Sequence, residues 1–381
     1  MAMKIGTKGI HVGQPPEAIT GAVIPPLFQS ATFAQKNPGE PFAEFEYTRA
    51  GNPTFTRLEE TLASLENGRY ATVFSSGVGA LTAWLASIGK CHIVANEDLY
   101  GGTYRLLNSV FINYGVQSSF ARSADIKSWI DAIRPDTKWF LIETPTNPLL
   151  NIVDLVRACK IAHSRNIKVL VDNTFASPCF QQPLGFGADA VLHSTTKYIC
   201  GHSDVIGGAL ITDDAAQKEQ FDFYRKAMGL NPSPFDCWLV SRGVKTLAIR
   251  MAQHEKNASA ISKLLKKARN IEKVLYPGLK SHPQFDLASR QMQGAGGIIS
   301  IRFDNPRAAK RFMKKLKLFC LAESLGGVES LVCQPSSMTH ASMPAAYRAR
   351  LGIDDSLVRL SVGIEDTDDL LSDVASALKA I

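Results

Sequence analysis

Four short runs of the chain join residue types that do chemistry. Ser75-Ser76-Gly77-Val78-Gly79-Ala80 follows an apolar stretch and opens a helical pattern. The free amides at such a helix start favour a phosphate. The same Gly77-x-Gly79, with Glu97 twenty residues on, also imitates a dinucleotide fingerprint, although its third glycine position holds Thr82. Val169-Leu170-Val171-Asp172 is three apolar residues ending in an acid, which reads as a strand terminus carrying a carboxylate toward a ligand, or as a solvated end. In His193-Ser194-Thr195-Thr196-Lys197-Tyr198 a lysine follows a strand and a hydroxyl cluster. Burial there would lower its pKa and make it a nucleophile for Schiff-base formation, while Ser194 and Thr196, alternating on one side, suit a phosphate. Arg359-Leu360-Ser361-Val362 sets an arginine within an apolar strand. It needs an anion, supplied either by a structural ion pair or by a substrate carboxylate.

The elements that position these residues follow from the hydrophobic pattern. Asn52-Pro53 caps a helix whose apolar face is Leu58, Leu62 and Leu65, with Gly68 suited to its end. Strands are expected at 70–75, 92–96, 139–143, 169–172, 190–193 and 209–212. Helices are expected at 80–88, 104–112, 126–133 and 155–163. Such alternation, with continuous apolar strands, predicts a mostly parallel sheet covered on both faces, and ligands at the carboxyl ends of its strands. Long helices follow to about residue 268. Beyond them come strands at 298–303 and 358–362 and helices at 308–316 and 370–378, the last capped by Asp366. The domains expected are a proline-broken arm (1–52), a large α/β domain (53–239) and a smaller C-terminal α/β domain (240–381).

Composition narrows the function classes. The 381 residues are 45% hydrophobic and 20% charged, values of an ordinary globular chain. No apolar run reaches the length of a membrane helix and no signal peptide opens the chain, so a cytoplasmic protein is expected. The net charge of +7 is spread out, and its densest clusters (Lys263, Lys266, Lys267, Arg269; Lys310, Arg311, Lys314, Lys315, Lys317) fall on the polar faces of amphipathic helices. A solvated face is favoured over a nucleic-acid surface. Seven scattered cysteines form neither a disulfide framework nor a metal site, and no metal is expected.

An acid at one strand end, a lysine after the next strand and a phosphate-binding turn together suggest pyridoxal phosphate (PLP). Asp172 would keep its pyridine nitrogen protonated and Lys197 would carry it covalently. At these residues the chain resembles the cystathionine γ-lyase and γ-synthase branch of the Cys/Met-metabolism PLP-dependent enzymes. The likeness runs nearly end to end. It is densest in Glu46–Pro53 (EYTRAGNP), Glu143–Pro148 (ETPTNP), Ser194–Lys197 and Leu321–Gly327 (LAESLGG).

The resemblance implies the fold type I, aspartate-aminotransferase-like architecture and a homotetramer built as a dimer of dimers. It implies that Gly77, Val78, Ser194 and Thr196 cradle the phosphate and that Tyr100 stacks on the cofactor ring and handles protons. Tyr47 and Arg49 would reach the phosphate of a neighbouring subunit. Asn147, Ser324 and Arg359 would hold the substrate carboxylate or order the groups that do. Methionine γ-lyases usually carry Cys where Gly102 stands. Many bacterial β-lyases carry an aromatic where Glu323 stands, and an acid there suits a long substrate bearing a second amine. The activity expected is cystathionine γ-lyase, yielding cysteine, 2-oxobutanoate and ammonia. The alternatives are γ-synthase, β-lyase and, from another class, an NAD-dependent oxidoreductase. Cys200, beside the lysine, is expected to be inert.

Overall fold

In the computed structural model, which describes residues 3–381, the chain is organised by two sheets. A short hairpin, β1 (Gln35–Asn37) with β2 (Glu40–Pro41), lies in the N-terminal segment. The large sheet has seven strands: β3 (Tyr70–Phe74), β4 (Cys91–Asn96), β5 (Val116–Ala121), β6 (Thr137–Glu143), β7 (Lys168–Asp172), β8 (Ala190–His193) and β9 (Gly208–Thr212). Their order is β3-β9-β8-β7-β6-β4-β5. The pairs from β8 through β5 are parallel, and only β9 runs against its neighbours β8 and β3. β3 therefore points the same way as β8, and the sheet is mostly parallel.

Its strands alternate between two cores. Leu141, Leu170, Leu192 and Leu210 pack on one side with Trp84 and Leu85 of the helix Gly77–Ile88. Phe140, Ile142, Val169 and Val171 pack on the other with Trp129 and Leu155. Each such side chain removed from water contributes roughly 1.5–3 kcal/mol, which explains why these strands read as unbroken apolar runs.

The small sheet is β10 (Ile271–Leu275), β11 (Ile298–Phe303), β12 (Cys320–Leu321), β13 (Leu331–Cys333) and β14 (Leu357–Ser361), in the order β10-β11-β14-β13-β12. Ile299, Ile301, Val358 and Leu360 form its core with Phe312, Leu370 and Val374 of the covering helices. The lysines and arginines of the two basic clusters are all exposed: Lys263, Lys310, Arg311, Lys314 and Lys315 on helices opposite buried Ile261, Leu265 and Phe312, and Lys266, Lys267, Arg269 and Lys317 in the turns just past the helix ends, not on helix faces as expected.

Several local expectations need correction. The arm is not wholly irregular, because Ile5–His11 is a helix that packs on the helices Pro53–Leu65 and Leu247–Leu265. β5 went unpredicted since only Val116 and Ala121 of its six residues are buried, as befits an edge strand. The helix after β3 begins at Gly77, three residues early, with Ser76 as its N-cap. Asn52 caps as expected, but the left-handed residue after the helix Pro53–Leu65 is Asn67 (φ 58°), not Gly68. Asp366 occupies the N-cap of the helix Thr367–Lys379 without making a side-chain capping bond. The expected helix over 104–112 is short and α-helical only through Arg105, then widens into a π turn and tightens into a 3₁₀ turn.

Candidate active site

The carboxyl ends of β3, β4, β6, β7 and β8 meet at one edge of the large sheet. The loops leaving them, closed over by the 322–331 segment and β14 of the small sheet, enclose a cavity of about 740 Å³. Gly77, Val78, Tyr100, Asn147, Asp172, Ser194, Thr196, Lys197, Glu323, Ser324 and Arg359 all line it. Tyr47 and Arg49 do not. They are exposed, with the guanidinium 5.4 Å from the Tyr47 ring centroid and donating to the Lys226 carbonyl at 2.9 Å. Glu97 also stands outside, 3.6 Å from Arg350.

One end of the cavity suits a phosphate. Ser76 Oγ accepts from the Gly79 amide at 2.8 Å, which turns the helix start toward the opening. A Cβ on Gly77 would lie 2.8 Å from that of Ser194, so glycine lets the helix terminus approach the Ser194–Lys197 loop. The Thr196 hydroxyl is fixed by the Gly207 amide and carbonyl, at 3.0 and 3.1 Å.

At the end of β7, Asp172 Oδ1 accepts both the Thr174 amide (3.0 Å) and its hydroxyl (2.6 Å). Oδ2 is left for a donor in the cavity. Burial raises the Asp172 pKa, opposed by the Thr174 bonds and the nearby His193. Its cross-strand partner is Glu143, whose pKa burial and then Asp172 push well upward.

The Lys197 amine donates to Ser324 Oγ at 2.9 Å. Burial, and after it the Arg359 charge, drives its pKa down to about 8, with Glu323 pulling the other way. Lys197 is therefore a base within reach of neutral pH. Arg359 is 2% exposed; one nitrogen donates to Asn147 Oδ1 (2.7 Å), another to the Ser324 carbonyl (2.8 Å), and Nε has no partner. Both acceptors are neutral, and among the described residues none of the ion pairs includes Arg359. A buried cation lining a cavity with no carboxylate paired to it calls for an anionic ligand.

These features fit PLP in kind: amides and hydroxyls for a phosphate, a spare carboxylate oxygen for a protonated ring nitrogen, and an unpaired lysine between them. Tyr100, 36% exposed in the cavity, is available to a ring.

Sequence reasoning passed over other lining groups. Asp204 and Glu329 join Glu323 at the mouth, and Glu329 accepts from the Ser203 hydroxyl. Glu143 ends β6 as Asp172 ends β7, and that shared pattern was a usable signal. Behind the wall, fully buried His340 contacts the Asn147 carbonyl at 3.0 Å; nothing in its local sequence marks it. Burial pushes the Cys200 thiol up to about 12, which leaves it protonated at neutral pH. Among the described residues no cluster of His, Cys, Asp and Glu could hold a metal, and no helix is long and apolar enough to cross a membrane.

Comparison with known proteins agrees with this chemistry. The model of the Cys/Met metabolism PLP-dependent enzyme family matches residues 6–379. The chain is 50% identical over 375 residues to the cystathionine γ-synthase of Mycobacterium tuberculosis, covering 98% of this chain and 96% of that one. It is 48% identical over 381 residues to the cystathionine γ-lyase of Dictyostelium discoideum, with 98% and 97% covered. A cystathionine β-lyase of Lactococcus lactis is 44% identical over 377 residues, with 98% and 99% covered. The crystal structure of cystathionine γ-synthase from Xanthomonas oryzae pv. oryzae in complex with cystathionine superposes with a TM-score of 0.97 at 42% identity, covering 100% of this chain and 99% of that one.

Proposed function

We propose that this chain, which belongs to the Cys/Met metabolism PLP-dependent enzymes, cleaves cystathionine at its γ carbon, giving cysteine, 2-oxobutanoate and ammonia. The observation that carries the reading is Glu323 at the mouth of a cavity whose inner wall holds Lys197 and the unpaired Arg359. Arg359, steadied by Asn147, takes the α-carboxylate of the reacting half. Glu323 takes the distal ammonium. Together they choose which end of cystathionine meets Lys197, and hence which carbon–sulfur bond lies in position to break.

PLP, when bound, supplies the electron sink that lets a proton leave the α carbon of an amino acid. Lys197 would be its covalent anchor, and Lys197 Nζ would be the base that receives that proton. Asp172 Oδ2 would accept from the protonated pyridine nitrogen. Gly77, Val78, Ser194 and Thr196 would hold the phosphate, and Tyr100 would stack on the ring. A Cβ on Gly102 would fall 2.4 Å from Tyr100 Cε1, so the ring position seen here depends on a glycine there. The N-terminal arm, with Ile19, Val23 and Phe42 at 92%, 75% and 67% exposure, packs on neighbouring subunits of a tetramer and brings Tyr47 and Arg49 to their phosphates. The setting is the cytoplasm.

A second reading, γ-synthase, is favoured by the 50% identity to the mycobacterial enzyme of that name. It uses the same residues, with a cysteine thiol replacing an O-acyl group at the γ carbon. Product analysis separates the readings. Cystathionine alone should give mainly 2-oxobutanoate and cysteine. Pyruvate with homocysteine would make the protein a β-lyase. Rapid cystathionine formation from O-acylhomoserine and cysteine, with negligible cleavage, would make it a synthase. Glu323→Ala should raise KM or shift the products toward pyruvate, and if it does neither the role of Glu323 is wrong.

A further inference from the structure

Glu143 belongs to none of the roles above, yet it lines the cavity and is only 6% exposed. Its backbone is pinned on both sides by Asn96, whose Oδ1 accepts the Glu143 amide (2.7 Å) and whose Nδ2 donates to its carbonyl (3.2 Å). Its carboxylate is then divided between two loops. Oε2 accepts the Tyr100 amide at 2.9 Å, and Oε1 accepts the Asn147 amide at 2.6 Å. Tyr100 lies on the loop leaving β4 and Asn147 on the loop leaving β6. Asp98, earlier in the β4 loop, also ties the two loops by accepting from the Thr146 hydroxyl (2.6 Å) and the Asn151 side-chain amide (2.8 Å), but Glu143 is the side chain that joins Tyr100 and Asn147 themselves.

From Asn147 the connection continues around the cavity: Arg359 donates to Asn147 Oδ1 and to the Ser324 carbonyl, and Lys197 donates to Ser324 Oγ. All six side chains line the same cavity. A buried acid facing Asp172 across the strands is costly, so its retention at this spot asks for a use. We propose that Glu143 is a positioning residue that clasps the Tyr100 and Asn147 loops, fixing the distance between the ring-contacting tyrosine and the Asn147–Arg359 pair. The inference rests on the reading of Arg359 as the α-carboxylate site.

The test compares two ligands of the holoenzyme: an α-amino acid and the matching primary amine without the carboxylate, each titrated by its effect on the cofactor absorbance. Wild type should prefer the amino acid. Glu143→Ala, which removes both acceptors, should cut that preference about tenfold, the worth of a well-placed hydrogen bond to a charged group, while changing amine affinity little. Glu143→Asp, which keeps two oxygens on a shorter arm, should restore part of it. Full preference in Glu143→Ala, or equal losses for both ligands, would overturn the clasp. Absence of any preference in wild type would instead overturn the Arg359 reading.

Amide hydrogen exchange gives a second readout that needs no turnover. The Tyr100 and Asn147 amides should be protected in wild type and should exchange faster together in Glu143→Ala while the β6 and β7 interiors stay slow. If Glu143→Ala does not fold, the wild-type measurement still decides, since free exchange of either amide excludes the clasp.

Discussion

Lys197 Nζ and Ser324 Oγ lie 2.9 Å apart, and Ser324 presents that hydroxyl from a left-handed backbone conformation, φ 93°. A serine there costs roughly 1–3 kcal/mol, and its own carbonyl is held by Arg359. Strain of this kind persists only where the surroundings dictate the conformation, and here it aims a hydroxyl at the amine.

Ser324→Gly and Ser324→Ala should therefore part company. Both remove the acceptor for Lys197 and should lower kcat. Glycine also relieves the backbone, so Ser324→Gly should melt above Ser324→Ala by the equivalent of about 1 kcal/mol. Thermal denaturation of the two variants beside their kcat values checks this.

Lys197→Ala and Lys197→Met should purify without the violet absorbance of covalently held PLP and without turnover. Borohydride trapping of cofactor at normal levels in either would place the anchor elsewhere. Lys197→Met should also change the stability of the cofactor-free chain. In the folded state the charged amine is disfavoured, its pKa falling from 10.5 to about 8. That penalty is fully present below pH 8 and disappears as pH rises toward 10.5. Lys197→Met should accordingly be more stable than wild type by about 2–4 kcal/mol at pH 7, with the gap closing by pH 10.5. Urea denaturation at the two pH values measures it.

Arg359→Leu should raise KM for cystathionine about 10- to 100-fold by removing the charged hydrogen-bond donors, with little loss of folding stability. The stability forecast follows from the absence of an ion-pair partner, since no carboxylate is stranded when the charge goes. A drop in the unfolding midpoint as large as that of a core truncation would mean that Arg359 is chiefly structural.

Tyr47→Phe and Arg49→Ala should weaken PLP affinity although neither residue touches the cavity of its own chain. Hybrids reassembled from either variant and Lys197→Ala subunits should regain activity, because one complete site can form between them. Inactive hybrids, with subunit exchange verified by mass, would count against a shared site.

The parallel strands and their terminal residues were legible because burial on both faces leaves an unmistakable apolar run, as in Val169–Val171, and an acid after such a run is conspicuous. Strands that bury little were not: β5 shows only two buried residues, and β12 is two exposed ones. Of the cavity-lining residues, those within short motifs could be named from the sequence. Glu143 stood inside such a motif without a role, since its bonds reach Tyr100, 43 positions away, through backbone amides that every residue possesses. Glu329 enters the site through packing of one sheet on the other and Asp204 through the long loop after β8, while His340 stands behind the wall on the Asn147 carbonyl, and no local periodicity encodes any of these. The Gly68 expectation missed, and Asp366 took its N-cap position without a capping bond, because a suitable residue type permits a cap without compelling it.

Ser300 on β11 lies outside the cavity, opposite Arg359 on β14, and donates its hydroxyl to the Pro148 carbonyl at 2.6 Å. That bond joins the one from Arg359 to Asn147 in fastening the small sheet to the loop bearing Asn147. The gap between the two jaws of the site is therefore set in part by a contact that no substrate touches. Relatives bearing one set of lining residues could then diverge in the length of molecule they accept by re-seating one sheet on the other, a change invisible to any inspection confined to the pocket wall.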